Sequence, residues 1–504
     1  MDVLFITPDS SVQAYQELAK NFSAIEPPTW SLLLAESCRS KGFKAAILDC
    51  DAQRLSLESS VKAIQQINAK LVVFVLYGQN PNSGTTSMIG AVRLADALKE
   101  AGQSGLICFV GSHVSALPKE VLANASVDIV LLNEGVYALH NLLLSNLSID
   151  SLKKIKGIGR KEDGHLILNE PEGVVPQDRM DIDLPGYAWD LLPFKEKPLD
   201  LYRAHFWHAN FSYEERTPFA AIYTSLGCQF ACSFCMINIL NRTDNSEHIN
   251  ASHSRGMRFW SPDWVRKEMR KLAEMGVKTL RISDEMFFLN RKYYTPILDN
   301  CIDEQFNFNM WTYSRIDTVR PGVLDKFKKA GVNWLALGIE AGNQIVRQEV
   351  SKGSFKDVNI RDVCETIRNS GIKSINNYIF GFPGDNIATM QETLDLAIEL
   401  NAEMANFYPC QALPGSPLYH TAITNGWELP KSYEEFAFLS YECKPLRTDH
   451  LSAADVLKFR DNAWSKYFTN PKYLDLVEKS FGRTERSNVE DMASIKLKRR
   501  LLGD

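Results

Sequence analysis

The chain has 504 residues, 45% hydrophobic and 23% charged, which is the composition of a soluble globular protein with room for about three domains. A net charge of −5 excludes the strongly basic surface of a general nucleic-acid binder, so no nucleic acid is expected as a partner. The chain opens Met1-Asp2 without a basic n-region, and its longest apolar run, 71–77, falls far short of the ~20 residues of a membrane helix. Neither a secretory signal nor a membrane span is expected. Strands are predicted at 3–7, 45–48, 71–77, 106–110 and 129–132, separated by stretches of helical apolar spacing such as 88–101. Strands apolar on both faces belong in a parallel sheet covered by helices on both sides, so residues 1–145 are expected to form a doubly wound, flavodoxin-like (Rossmann-like) α/β domain. Residues 146–213 lose that rhythm and carry Pro171, Pro176, Pro185, Pro193 and Pro198, and are expected to be a linker. A second alternation follows over 214–430. Its predicted strands lie at 219–225, 279–283, 308–313, 334–339, 375–379 and 405–408, with helices at 262–274 and 321–330. Six βα units predict a partial (βα)6 TIM-like barrel, with its site at the strands' C-terminal ends. Residues 431–504 are expected to be helical, ending in a solvated basic run, Lys496-Leu497-Lys498-Arg499-Arg500.

Three of the ten cysteines crowd into the loop after the first barrel strand: Cys228, Cys232 and Cys235 in "CQFACSFC". The other seven are scattered and are expected to be buried thiols in a reducing cytoplasm. Structural zinc takes four protein ligands, commonly from paired C-x2-C arms, and no fourth Cys or His stands near this trio. A four-iron cluster held by three thiolates keeps one iron open for a substrate or cofactor.

The C-x3-C-x-aromatic-C pattern of Cys228, Cys232, Phe234 and Cys235 resembles the signature of the radical S-adenosylmethionine (radical SAM) superfamily. The resemblance implies a [4Fe-4S] cluster on the three cysteines, S-adenosylmethionine chelated at the open iron, and Phe234 near the adenine. It gives Asp284 or Glu285, after the second strand, the methionyl ammonium, and Arg315, after the third, the methionyl carboxylate. Glu340, in the G-x-E-x-G stretch 338–342, is given a ribose or amino contact. The turns 381–384 and 414–419 resemble family turns at the adenine end. The first domain, with its turns at 111–118 and 133–135, resembles the cobalamin-binding domain of one large subfamily, the class B methyltransferase-like members. Cobalamin's nucleotide tail is then expected past Tyr77-Gly78-Gln79-Asn80, at Ser83, Gly111, Ser112 and Gly135. Many cobalamin domains place an axial histidine after the first strand. Here that loop reads Pro8-Asp9-Ser10-Ser11-Val12-Gln13, and His113 lies in another turn, so cobalt is expected to lack a protein histidine below the corrin.

The resemblance thus implies an enzyme that methylates an unactivated carbon of a small-molecule substrate, supplied with electrons by a flavodoxin or ferredoxin. A cobalamin-dependent radical cyclase or rearrangement enzyme, and a non-catalytic cobalamin-responsive binding protein, are the alternatives.

Overall fold

A computed structural model describes residues 1–78, 81–145, 147–192, 201–208, 218–244, 250–350 and 358–504. Gln79, Asn80, Pro193, Pro198 and the boundary expected at 213/214 lie outside the described residues. The first sheet contains β1 (Val3–Thr7), β2 (Ala45–Asp49), β3 (Leu71–Leu76), β4 (Leu106–Gly111) and β5 (Ile129–Leu131), all parallel, in the order β2-β1-β3-β4-β5. Successive side chains of a strand point to opposite faces, and the cores divide accordingly. Val3, Phe5, Val73 and Val110 face one apolar layer, while Leu4, Ile6, Phe74 and Phe109 face the other. Helix Thr29–Ser40 covers the first layer through Trp30, Leu33, Leu34 and Cys38. Helix Gly84–Glu100 covers the second through Met88, Ala91, Ala95 and Leu98, a stripe of i, i+3, i+7 spacing.

Within the expected linker, β6 (Ile158–Glu162) and β7 (His165–Leu168) form a hairpin that extends this sheet antiparallel to β5. Asp163 and Gly164 turn it with φ of 47° and 78°, the left-handed pair of a two-residue hairpin turn.

The second sheet is six parallel strands in chain order: β8 (Phe219–Ile222), β11 (Thr279–Ile282), β12 (Asn309–Arg315), β13 (Val332–Glu340), β14 (Lys373–Phe380) and β15 (Met404–Pro409). Its outer strands β8 and β15 do not pair, so the barrel is a half-barrel, as expected from six units. Between β8 and β11, the short strands β9 (Ser225–Leu226) and β10 (Arg258–Phe259) pair antiparallel and close off the cysteine loop. Helix starts follow local chemistry. Ser261 caps helix Pro262–Glu274 by accepting from the Trp264 N–H at 3.1 Å, and Asn386 with Thr389 makes a capping box for Ile387–Leu400.

The C-terminal region brings helices Ala453–Phe468, Pro471–Phe481 and Arg483–Ser494. Arg460 in the first of them donates to the Phe407 carbonyl of β15 at 2.7 Å. The terminal basic run is not a solvated helix: residues 495–499 are not helical and Arg499 is buried. A pair of 2.9 Å bonds to Asp461 and one of 2.7 Å to the Ser440 carbonyl compensate its charge. Among the described residues no helix is long and apolar enough to cross a membrane.

Candidate active site

One cavity of about 650 Å³ runs from the C-terminal ends of β1 and β3 into the mouth of the half-barrel. In a sheet of order 2-1-3-4-5 the β1/β3 boundary is the point where strand order reverses, and ligands enter the crevice there. The same cavity is lined by Cys228, Cys232, Phe234, Cys235, Glu285, Arg315 and Glu340.

The cysteine loop is built on Gly227, whose φ is +85° and where a Cβ would sit 2.0 Å from Asn241 Nδ2. No side chain fits there. Asn238 ties the loop together: its Oδ1 accepts from the Cys228 N–H at 2.9 Å and its Nδ2 donates to the Phe230 carbonyl at 3.0 Å. The Phe230 N–H approaches Cys228 Sγ at 3.5 Å. Among the described residues no three His, Cys, Asp or Glu side chains are placed to hold a single metal ion. A four-iron cluster takes each thiolate on a different iron and needs no common point. Burial pushes the Cys228 thiol up to about 12. Such a thiol is inert as a free nucleophile, and coordination to a metal would ionise it.

The carboxylates separate cleanly. Asp284 is fully buried and accepts from the Thr224 N–H at 2.6 Å, Thr224 Oγ1 at 2.5 Å and Ser225 Oγ at 2.6 Å. It is not among the residues that line the cavity, and its lone pairs already hold the entrance to the cysteine loop. Glu285 does line the cavity, and its buried Oε1 has no hydrogen-bond partner among the described residues. Burial pushes its carboxyl up to about 8, the cost of an acceptor that has lost water and gained no donor. Arg315 pairs with Asp317 through Nε–Oδ1 of 2.9 Å and Nη2–Oδ2 of 2.6 Å, and its guanidinium lies 3.7 Å from the Phe230 ring centre.

Glu340 ends β13 after a register shift and takes φ 67°, a conformation that costs a β-substituted residue. Burial pushes its carboxyl up to about 7, with Arg315 pulling the other way. The flanking glycines explain the G-x-E-x-G stretch. A Cβ on Gly338 would meet Glu340 Oε1 at 2.6 Å, and one on Gly342 would meet the Glu392 carbonyl oxygen at 2.6 Å. Phe234 packs on Phe382 of the 381–384 turn at 5.5 Å.

On the first domain's side, Ser83 lines the cavity, but Gly111, Ser112 and Gly135 do not. A Cβ on Gly84 would lie 2.0 Å from Ser112 Oγ, and one on Gly111 would lie 2.3 Å from the Leu76 carbonyl oxygen. These residues pack closely at the loop ends. His113 also lies away from the cavity, 3.0 Å from Thr85 Oγ1 and 3.3 Å from Glu120 Oε1.

Residues that no motif announces take part instead. Thr7 Oγ1, Trp30 Nε1 and Ser31 Oγ are buried at the cavity wall without hydrogen-bond partners among the described residues, and Trp30 stacks on Tyr77 at 4.6 Å. A pocket with an aromatic wall and waiting polar atoms at the switch point suits a large, amide-rich cofactor such as cobalamin. Glu26, from the loop before helix Thr29–Ser40, also lines the cavity and pairs with buried Arg281 of β11. His205 lines it too, and burial pushes its imidazole down to about 3, so it stays neutral.

Two family models match the chain: the B12 binding domain over residues 18–143 and the Radical SAM superfamily over 222–397. An uncharacterized methyltransferase of Pyrococcus horikoshii is 24% identical over 89% of this chain and 89% of its own. The anaerobic magnesium-protoporphyrin IX monomethyl ester cyclase of Rubrivivax gelatinosus is 23% identical over 94% of this chain and 78% of its own. The structure of the radical S-adenosylmethionine methyltransferase TsrM from Kitasatospora setae, with cobalamin and a [4Fe-4S] cluster bound, superposes with a TM-score of 0.65. It covers 98% of this chain and 99% of that one at 15% identity, a likeness of fold. The chain thus places a B12-binding domain before a radical SAM half-barrel, with one cavity shared by both, and the cofactors these two domains imply are a [4Fe-4S] cluster, S-adenosylmethionine and cobalamin.

Proposed function

We propose that this enzyme transfers a methyl group to an unactivated carbon of a small-molecule biosynthetic intermediate. The observation that carries the reading is the shared cavity, where the cysteine loop and the switch point of the first sheet face one space. When bound, the cofactors supply a reductively generated radical that removes a hydrogen atom from carbon, and a methyl group to replace it. Cys228, Cys232 and Cys235 hold the cluster. Glu285 accepts from the methionyl ammonium of S-adenosylmethionine, which gives its orphaned oxygen a charged donor. Arg315 orients the methionyl carboxylate, Glu340 binds the ribose or amino group, and Phe234 flanks the adenine. Ser83 touches the cobalamin tail, beside Thr7 and Ser31. Trp30, Tyr77 and Trp311 wall the space and keep water out. A flavodoxin or ferredoxin in a reducing cytoplasm is the electron source.

The test is anaerobic reconstitution followed by turnover with methyl-deuterated S-adenosylmethionine and candidate metabolites. One four-iron cluster per chain, lost when all three cysteines become Ala, and a product carrying the labelled methyl group are expected. Ring closure without methyl gain would move the reading to a cyclase, the activity named for the Rubrivivax relative. Tightly bound zinc with activity intact would sink the cluster assignment.

A further inference from the structure

The loop after β3 leaves the first sheet and ends on the cysteine loop of the second. Asn82 lies there, in the short 3-10 turn Pro81–Ser83. Its Oδ1 accepts from the Met236 N–H at 3.1 Å, and its Nδ2 lies 3.6 Å from Cys235 Sγ. The backbone fixes which way the amide faces. A main-chain N–H can only donate, so the oxygen turns to Met236 and the amide N–H turns to sulfur. Gly78 and Ser83 approach each other closely: Gly78 has φ +63°, and a Cβ there would meet Ser83 Oγ at 2.6 Å. One side chain of the B12-binding domain therefore touches both a cysteine of the trio and the backbone that follows it.

We propose that Asn82 is a positioning residue that donates an N–H···S hydrogen bond to Cys235 and thereby raises the reduction potential of the cluster. The proposal rests on the reading that Cys235 is a cluster ligand. Reduction adds negative charge that spreads onto the ligand sulfurs. A donor aimed at one of them stabilises the reduced state more than the oxidised one. Because the donor belongs to the first domain, the cluster is easiest to reduce when the two domains are apposed.

The experiment uses full-length protein, reconstituted anaerobically without cobalamin or S-adenosylmethionine. Iron and sulfide are counted, and the midpoint is read by a redox titration followed by electron paramagnetic resonance. Asn82→Asp keeps an oxygen for the Met236 N–H but loses the donor to sulfur; Asn82→Ala loses both. Full iron content is expected in both variants, with the reduced-to-oxidised ratio at the wild-type midpoint lowered about tenfold, equivalent to ~59 mV for a one-electron couple. The added charge of the Asp variant alone would move the potential, so the Ala variant must shift the same way. An unchanged midpoint in Asn82→Ala at full iron content overturns the proposal. Loss of iron from both variants also overturns it, because Asn82 would then be a scaffold for the loop. Wild-type protein without a four-iron cluster would instead defeat the cysteine assignment.

Discussion

Asp284 accepts three hydrogen bonds from Thr224 and Ser225, whereas Glu285, next in the chain, lines the cavity with Oε1 unpartnered. The two carboxylates therefore respond differently to removal. Glu285→Gln keeps the shape, and because Oε1 has no hydrogen-bond partner among the described residues it strands no protein donor, so the thermal midpoint stays close to wild type. It loses the charge that faces an ammonium, and a charge-assisted hydrogen bond contributes about 1.5–3 kcal/mol. S-adenosylmethionine affinity, read by calorimetry on the cluster-loaded protein, is expected to fall about tenfold or more. Asp284→Ala strands the Thr224 N–H and two hydroxyls in a dry interior, at about 1–3 kcal/mol for each donor left unsatisfied. The expected result is a clear drop in thermal midpoint that is present without any cofactor. Unchanged affinity in Glu285→Gln together with a fully stable Asp284→Ala would reverse the two assignments.

At the scale of the element, the end of β13 is flanked by two glycines, Gly338 within the strand and Gly342 just beyond it, that look alike in the sequence and differ in what surrounds them. A Cβ at Gly338 meets the end of the Glu340 side chain, which can swing aside, while a Cβ at Gly342 meets the backbone of Glu392 and Thr393, which cannot. Gly338→Ala is thus expected to fold with nearly the wild-type midpoint but to displace the Glu340 carboxylate and weaken S-adenosylmethionine binding several-fold. Gly342→Ala is expected to destabilise by about 1–3 kcal/mol, the cost typical of overpacking. Equal stability of the two variants in thermal melts would contradict this reading. The same contrast marks what the sequence could tell. All eleven parallel strands were legible because runs such as Leu71–Leu76 are apolar on every residue, the mark of a sheet covered on both faces. The hairpin β6–β7 was not, since Arg160, Lys161, Glu162 and His165 break the apolar run. Its one local signal was the Asp163-Gly164 pair. The cysteine trio announced itself by spacing. By contrast, Asn82, Glu26 and Trp30 reach the cavity from the other domain, and only tertiary contact gives them a role. At Gly111 and Gly135 the glycines mark close approach, and in this structure Leu76, Val110 and Leu131 of the same domain approach them.

At the scale of the whole molecule, one apolar core runs without a break from Val3 of the first sheet through the half-barrel to Met492 near the C-terminus. Polar contacts stitch the same boundary, and one buried set of them centres on Arg258 of β10. Its guanidinium donates to Glu134 at 2.9 Å, the Val175 carbonyl at 2.6 Å, the Leu240 carbonyl at 2.7 Å and Asn241 Oδ1 at 3.0 Å. Glu134 follows β5, so the pair joins the first domain to the strand that closes the cysteine loop. With side chains 10% and 1% exposed, neither partner has water to fall back on. Removing one charge of a buried pair typically costs about 3–5 kcal/mol, because the other is left uncompensated, whereas replacing both costs far less. Arg258→Met is therefore expected to lower the main calorimetric transition strongly and to loosen iron retention after reconstitution, since Leu240 and Asn241 lose their anchor beside Gly227. Adding Glu134→Gln to it removes the orphaned carboxylate and should recover a substantial part of the loss. Calorimetry of wild type, both single variants and the double variant closes the thermodynamic cycle. A double variant no more stable than Arg258→Met would mean that the carbonyl contacts, and not the ion pair, hold the domains together; a wild-type midpoint in Arg258→Met would mean that the apolar core does so alone.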